Sequence, residues 1–250
     1  MDEKIIVFKN VTKTYGEVCA LHNLSFDIPA NRIVGLIGAN GAGKTTILKH
    51  IIKYLHPDCG SILLGGSDIN SLRDETFPVS FVPDKPVYYE ELTVSEHLQF
   101  ISTMYGTKDR VNNLISALEL KQHLNKVPGA LSKGTLQKMM IACALLRNYE
   151  ILIADEPFSG LDPKQILVLK ELLRQEKEAG KTVVISMHLL STIENLCDYY
   201  IFIDNGELLS QGSLEELSTK DKAMSLEDIY LILSRGADGE EENENENENG

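Results

Sequence analysis

The segment Gly38-Ala39-Asn40-Gly41-Ala42-Gly43-Lys44-Thr45 decides more about this chain than any other. It carries the spacing of glycine, four residues, glycine, lysine and threonine that wraps a nucleotide triphosphate. Gly38, Gly41 and Gly43 let the backbone turn tightly with its N–H groups pointing inward, a concave nest for phosphate oxygens. Ala39, Asn40 and Ala42 between them, and Thr46 just beyond, belong to the same cradle. Lys44 adds a point positive charge for the β- and γ-phosphates, and the Thr45 hydroxyl is placed to ligate Mg²⁺. Arg32 to Ile37 reads as a buried strand, and Ile47, Leu48, Ile51, Ile52 and Leu55 recur at helical spacing over Thr46 to Leu55. A phosphate would therefore meet the positive end of a helix dipole. A strand-to-helix turn with no ligand is the alternative, and the Lys-Thr pair with these flanks argues against it.

The chain of 250 residues is long enough for one sizeable core, alone or with a satellite subdomain. With 43% hydrophobic and 24% charged residues it has the balance of a soluble globular protein. A net charge of −13 argues against nucleic acid as a partner. Seven acidic residues between Asp238 and Glu248 account for much of it, and the rest of the chain is only moderately acidic. Cys19, Cys59, Cys143 and Cys197 lack ligand spacing and read as reduced packing thiols of a cytosolic protein. The start, Met1-Asp2-Glu3-Lys4, has no signal pattern, and no apolar run approaches the roughly 20 residues of a membrane span.

Strands are expected at Ile5 to Phe8, Leu24 to Ile28, Ser61 to Leu64, Val79 to Val82, Glu150 to Ala154, Val183 to Met187 and Tyr199 to Ile203. The continuous apolar runs at 151–154 and 183–187 suit strands covered on both faces, as in a parallel α/β sheet. From about 85 to 149 the patterning turns helical. Thr93 and Glu96 have capping-box spacing, and Asp109 to Leu120 and Ser132 to Leu146 read as two further helices. The core is thus expected over about 1–84 and 150–220, with a helical insert between its halves. Lys164 to Ala179 is amphipathic, about 225–234 should be a docking helix, and 236–250 is too polar to fold.

Ile151 to Glu156 is an apolar strand ending in two carboxylates. In phosphate-loop nucleotidases the first of these, here Asp155, orients Mg²⁺ and its water. Glu156 is close enough to polarise an attacking water as general base. Read alone, Asp-Glu-Pro is only a polar strand exit; the upstream phosphate loop favours the catalytic reading. His188 ends the next strand, either as a satisfied surface or core residue or as a sensor of the γ-phosphate.

These residues, with Leu131-Ser132-Lys133-Gly134-Thr135 and Ser159-Gly160-Leu161-Asp162, resemble the ATP-binding subunits of ABC transporters over about residues 3–233. The wording at Phe81 to Thr93, Ser132-Lys133-Gly134 and Leu226 to Leu231 is most similar to the ATPases of ABC-2-type exporters, those of the Ecs type above all. The resemblance implies an α/β fold: a P-loop nucleotidase core (RecA-like, mainly parallel sheet), an N-terminal antiparallel β subdomain and an α-helical insert. It implies that Tyr15 stacks on adenine. Ser132, Lys133 and Gly134 would meet the γ-phosphate held by a second copy or a homologue, and Asp162 would lie where the two chains face each other. Two nucleotides would then be sandwiched head to tail.

Two departures matter. The family signature reads Leu-Ser-Gly-Gly-Gln; here Lys133 replaces a glycine and Thr135 the glutamine. Lys133 either adds charge near the partner's phosphate or points to solvent. Asp84 stands where the family has a glutamine that touches Mg²⁺, and a carboxylate can still meet the ion or its water. The expectation is an ATP- and Mg²⁺-dependent ATPase on the cytoplasmic face of the membrane, driving an exporter through a separate transmembrane permease. That permease would dock near Asp84 to Tyr105, where Tyr88, Tyr89 and Leu92 either form the dock or pack the insert. An importer subunit and a regulator with little turnover are the alternatives.

Overall fold

The computed structural model describes residues 3–188, 190–193, 195–218 and 224–234, so the segment 236–250 lies outside the described residues. The chain divides into two units, Met1–Leu72 with Ser186–Gly250, and Arg73–Ile185.

In the first unit, β1 (Lys4–Tyr15) pairs antiparallel with both β2 (Val18–Pro29) and β4 (Cys59–Leu64), and β4 pairs with β5 (Ser67–Asp68). Phe8 lies opposite Phe26 and their rings stack at 4.4 Å. Both strands run well beyond the stretches expected from alternation. The reason is bulging: the register shifts between Phe8 and Val11, and Asn10 and Asn23 take left-handed backbone (φ 52 and 45). Asparagine tolerates that conformation, and each bulge returns the apolar residues to the core side.

β3 (Ile33–Ile37) is buried at every position, as a strand covered on both faces must be. Each such Ile, Val or Leu contributes about 1.5–3 kcal/mol of burial. β9 (Tyr199–Asp204) runs parallel to β3, and β10 (Glu207–Gly212) returns antiparallel to β9. The half-buried Leu208 to Gln211 gave no clear alternation, and β10 was not expected. α1 (Lys44–Ile51) ends earlier than its apolar spacing implies. Lys53 turns left-handed at φ 60, the amides of Tyr54 and Leu55 both return to the Lys49 carbonyl, and Pro57 follows. α6 (Leu214–Leu217) and α7 (226–234) complete the unit.

In the second unit, β7 (Ile151–Asp155) lies between β6 (Val79–Val82) and β8 (Thr182–Met187), with β6 and β7 parallel. Four helices accompany them: α2 (Val94–Tyr105), α3 (Lys108–Ala117), α4 (Lys133–Leu145) and α5 (Pro163–Glu178). α2 starts with the expected capping box, Thr93 and Glu96 exchanging hydrogen bonds with each other's backbone. α4 is buried on several sides through Met139, Ile141, Ala142 and Leu145, which fixes its N-terminus firmly. Glu176 of α5 accepts from Arg110 of α3, from the Tyr149 hydroxyl and from Lys181, so its buried carboxylate is fully engaged. The chain is an α/β protein with mainly parallel core strands and a separate antiparallel sheet.

Candidate functional site

The three glycines of the phosphate loop are required for three different reasons. A Cβ at Gly38 would lie 2.3 Å from the Ile203 carbonyl oxygen at the end of β9. Gly41 has open space around it but takes φ 91, and Gly43 combines φ 103 with close approach to the Ala20 carbonyl oxygen, 2.9 Å from a Cβ. α1 begins directly after Gly43, with no side-chain cap and no acidic residue in its first turn. A helix N-terminus entered in this way is suited to an anion.

Lys44 is 7% exposed and its ammonium donates to the carbonyls of Gly38 at 2.7 Å and Ala39 at 2.9 Å, inside the loop. The loop is also clasped from outside: the Gly206 amide between β9 and β10 donates to the Ala42 carbonyl at 3.1 Å. Asn40 and Thr45 are exposed, and Thr46 gives its carbonyl to His50 Nδ1–H at 2.7 Å. The same unit holds Tyr15, 45% exposed at the end of β1, with Lys13 Nζ 6.0 Å from the ring centroid. A ring with an open face can stack on a base. His188 is exposed immediately after β8.

The second unit carries the carboxylates. Asp155, 3% exposed, is the last residue of β7. Glu156 follows in left-handed backbone at φ 50, directly before Pro157. Neither glutamate nor a residue preceding proline favours that region, and the cost is about 1–3 kcal/mol. The turn is stabilised by the Ser159 amide on the Glu156 carbonyl at 3.1 Å and by Gln137 of α4 on the Pro157 carbonyl at 3.2 Å. Strain held in place around a carboxylate is a mark of function that spacing alone did not give. Asp84 is exposed just beyond β6.

Ser132 is the N-cap of α4: its hydroxyl accepts from the Thr135 amide at 3.3 Å and bonds the Thr135 hydroxyl at 2.8 Å. Lys133 does not simply extend into solvent; its ammonium donates to Ser159 Oγ at 2.9 Å. Gly134 is required by packing, since a Cβ there would lie 2.4 Å from the Gly160 carbonyl oxygen. Asp162 caps α5 in a capping box with Gln165. Tyr88 and Tyr89 line a groove of about 310 Å³ with Phe81, His97, Phe100 and Arg147. Tyr89 packs edge-on to Phe100, and its amide donates to His97 Nε2 at 3.1 Å.

Among the described residues no three His, Cys, Asp or Glu side chains gather as a metal cluster. A magnesium ion needs no such cage, because it takes one or two protein oxygens and fills its octahedron with phosphate and water. Hard oxygens suit that ion, and Thr45 in the first unit and Asp155 and Asp84 in the second each carry one.

Comparison with known proteins points to one family. The profile of the family described as ABC transporter matches residues 21–159. The chain is 39% identical to the ABC-type transporter ATP-binding protein EcsA of Bacillus subtilis, over 95% of this chain and 99% of that one. It is 32% identical to the Nod factor export ATP-binding protein I of Ralstonia nicotianae, over 90% of this chain and 72% of that one. A solved structure of the ATP binding subunit of an ABC transporter superposes with a TM-score of 0.85 at 34% identity, covering 92% of this chain and 99% of the other. The chain therefore belongs to the ATP-binding subunits of ABC transporters, ATPases whose turnover is coupled to transport.

Proposed function

We propose that this subunit powers an exporter, working from the cytoplasmic face of the membrane through a separate permease. The observation that carries the reading is the phosphate loop: Lys44 held inside it by two carbonyls, ahead of a helix whose N-terminus no side chain caps. Loop amides and Lys44 bind the β- and γ-phosphates, and Tyr15 stacks on adenine. Thr45 and Asp155 would hold Mg²⁺, with Asp84 on the ion or its water; the ion would supply charge neutralisation at the phosphate oxygens. Glu156 takes the proton of the attacking water, and His188 contacts the γ-phosphate.

A second copy, or a homologue, completes each site head to tail. Ser132, Lys133 and Gly134 at the start of α4 meet the γ-phosphate held by the other chain, and Asp162 faces that chain across the interface. The triphosphate bridges two acidic surfaces that otherwise repel, so phosphate loss opens them again. The groove at Tyr88 and Tyr89, with Leu92 beside it, receives the permease. Its aromatic walls and its lone arginine suit a short amphipathic segment. Export, as in the name of the Ralstonia relative, is the direction favoured.

The test is purification of the tagged chain from detergent-solubilised membranes, with phosphate release measured on whatever co-purifies. The reading expects a polytopic membrane protein and turnover that depends on it. Turnover unaffected by any membrane protein contradicts the transport role.

A further inference from the structure

β1 outruns one of its partners at the end that carries Tyr15. Its ladder with β4 stops at Thr12, which lies opposite Cys59, the first residue of β4. Lys13, Thr14 and Tyr15 continue beyond it, opposite Leu21, Cys19 and Val18 of β2. A strand amide on such an open edge would ordinarily go to water. Here a side chain takes the place of the missing strand. Asp58 Oδ2 accepts from the Thr14 amide at 2.7 Å, and Asp58 Oδ1 accepts from Lys13 Nζ at 2.8 Å. The Asp58 amide donates to the Thr12 carbonyl at 2.9 Å, and Lys13 Nζ also donates to the His56 carbonyl at 2.9 Å.

These bonds join 12–14 to 56–58, the stretch that follows α1. Tyr54 and Leu55 tie that stretch to the helix through the Lys49 carbonyl, and the helix begins at Lys44 in the phosphate loop. Asp58 therefore connects two parts of the first unit that would meet opposite ends of a nucleotide. Through α1 it is joined to the phosphate loop, and through Thr14 to the residue that carries the Tyr15 ring. Lys13, fixed by the same carboxylate, stands 6.0 Å from that ring's centroid. Tyr15 leads straight into the tight turn at Gly16 and Glu17, a hairpin tip of the kind that otherwise moves freely. Asp58 is itself exposed, so its removal leaves no buried charge behind.

We infer that Asp58 is a positioning residue for the base of the nucleotide: by clasping Lys13 and Thr14 it fixes where the Tyr15 ring stands relative to the phosphate loop. The carboxylate acts through Tyr15 and touches no nucleotide itself. A ring set in place beforehand spares the binding step the ordering of that hairpin. The coupling is reciprocal, so a bound base must steady the clasp as the clasp steadies the base. The inference rests on the proposed stacking of Tyr15 on adenine, and is independent of the permease, the partner copy and the direction of transport.

The experiment uses the full chain and the magnesium complexes of two probes. One is ATP with an imido group at the β,γ-bridge; the other is inorganic tripolyphosphate, which lacks sugar and base. In calorimetric titrations Asp58→Ala should weaken the ATP analogue about three- to tenfold and leave tripolyphosphate unchanged, with KM for ATP rising in parallel. Tyr15→Ala should show the same pattern with a larger loss, and adding Asp58→Ala to it should cost nothing more. Equal loss of both probes, or a loss that persists once Tyr15 is alanine, would assign Asp58 to the fold or to the phosphate end and overturn the inference. Affinity for the analogue within threefold of wild type overturns it too. If Tyr15→Ala alone leaves the analogue unweakened, the stacking reading itself fails and the inference falls with it. Should Asp58→Ala not fold, hydrogen exchange of residues 52–60 in the wild-type chain decides. Slower exchange with the analogue than with tripolyphosphate supports the clasp, and equal exchange with both overturns it.

Discussion

The loop at 38–45 and the segment at 132–134 both open helices, and they prepare those helices differently. α1 is entered through Gly43 in left-handed backbone with no side-chain cap. α4 is entered through Ser132, whose hydroxyl already satisfies the Thr135 amide. On the proposed reading the first region binds with its backbone, and its glycines follow from backbone geometry. On the same reading the second presents side chains to another molecule. Lys133 and Thr135 can differ from the family wording there, while Gly134 stays because the Gly160 carbonyl leaves no room for a Cβ. Backbone chemistry makes a motif rigid in sequence; surface chemistry leaves it variable.

The largest effect should come from Glu156→Gln, which keeps the strained turn and removes the base. Phosphate release should fall by about 10²–10⁴-fold while ATP still binds. Unchanged turnover would take Glu156 out of the proton transfer. Lys44→Ala comes next. Loss of a charge-assisted clamp should weaken ATP binding by about 100-fold in a direct titration, and an unaltered affinity would put the binding chemistry elsewhere.

The two regions can then be set against each other by stability. Gly134→Ala forces its Cβ to 2.4 Å from a backbone oxygen and should cost about 1–3 kcal/mol in chemical denaturation. Gly41→Ala meets open space and only the left-handed penalty, about 1 kcal/mol. The reverse order would mean that the contact between Gly134 and Gly160 is not what keeps that glycine.

The smallest effect is a pH dependence in α1. His50 is 1% exposed, and burial holds its pKa below 6.5, opposed by the bond to the Thr46 carbonyl. Above pH 6.5 folded and unfolded chains both keep it neutral. Below 6.5 the unfolded chain takes a proton that the folded chain resists, so stability falls with pH. Thermal melts between pH 7.5 and 5.5 should show this slope, and His50→Gln should flatten it.

The legibility of the chain follows the same division. β3, β7, β8 and β9 were readable because strands covered on both faces are runs of apolar residues, and the Thr93 cap because its chemistry is local. The reach of β1 and β2 was hidden, since bulges at Asn10 and Asn23 break the alternation that reveals a strand. At the site, glycine spacing exposed the phosphate loop. The bond from Lys133 to Ser159 and the left-handed Glu156 depend on a residue distant in sequence and on a dihedral angle. Composition does not encode either.

The most direct measurement is native mass spectrometry of Glu156→Gln with magnesium and ATP, alone and with the permease that co-purifies. The account predicts two ATP-binding chains holding two nucleotides, dispersing when ADP replaces ATP. A single ATP-binding chain under every one of these conditions would contradict it.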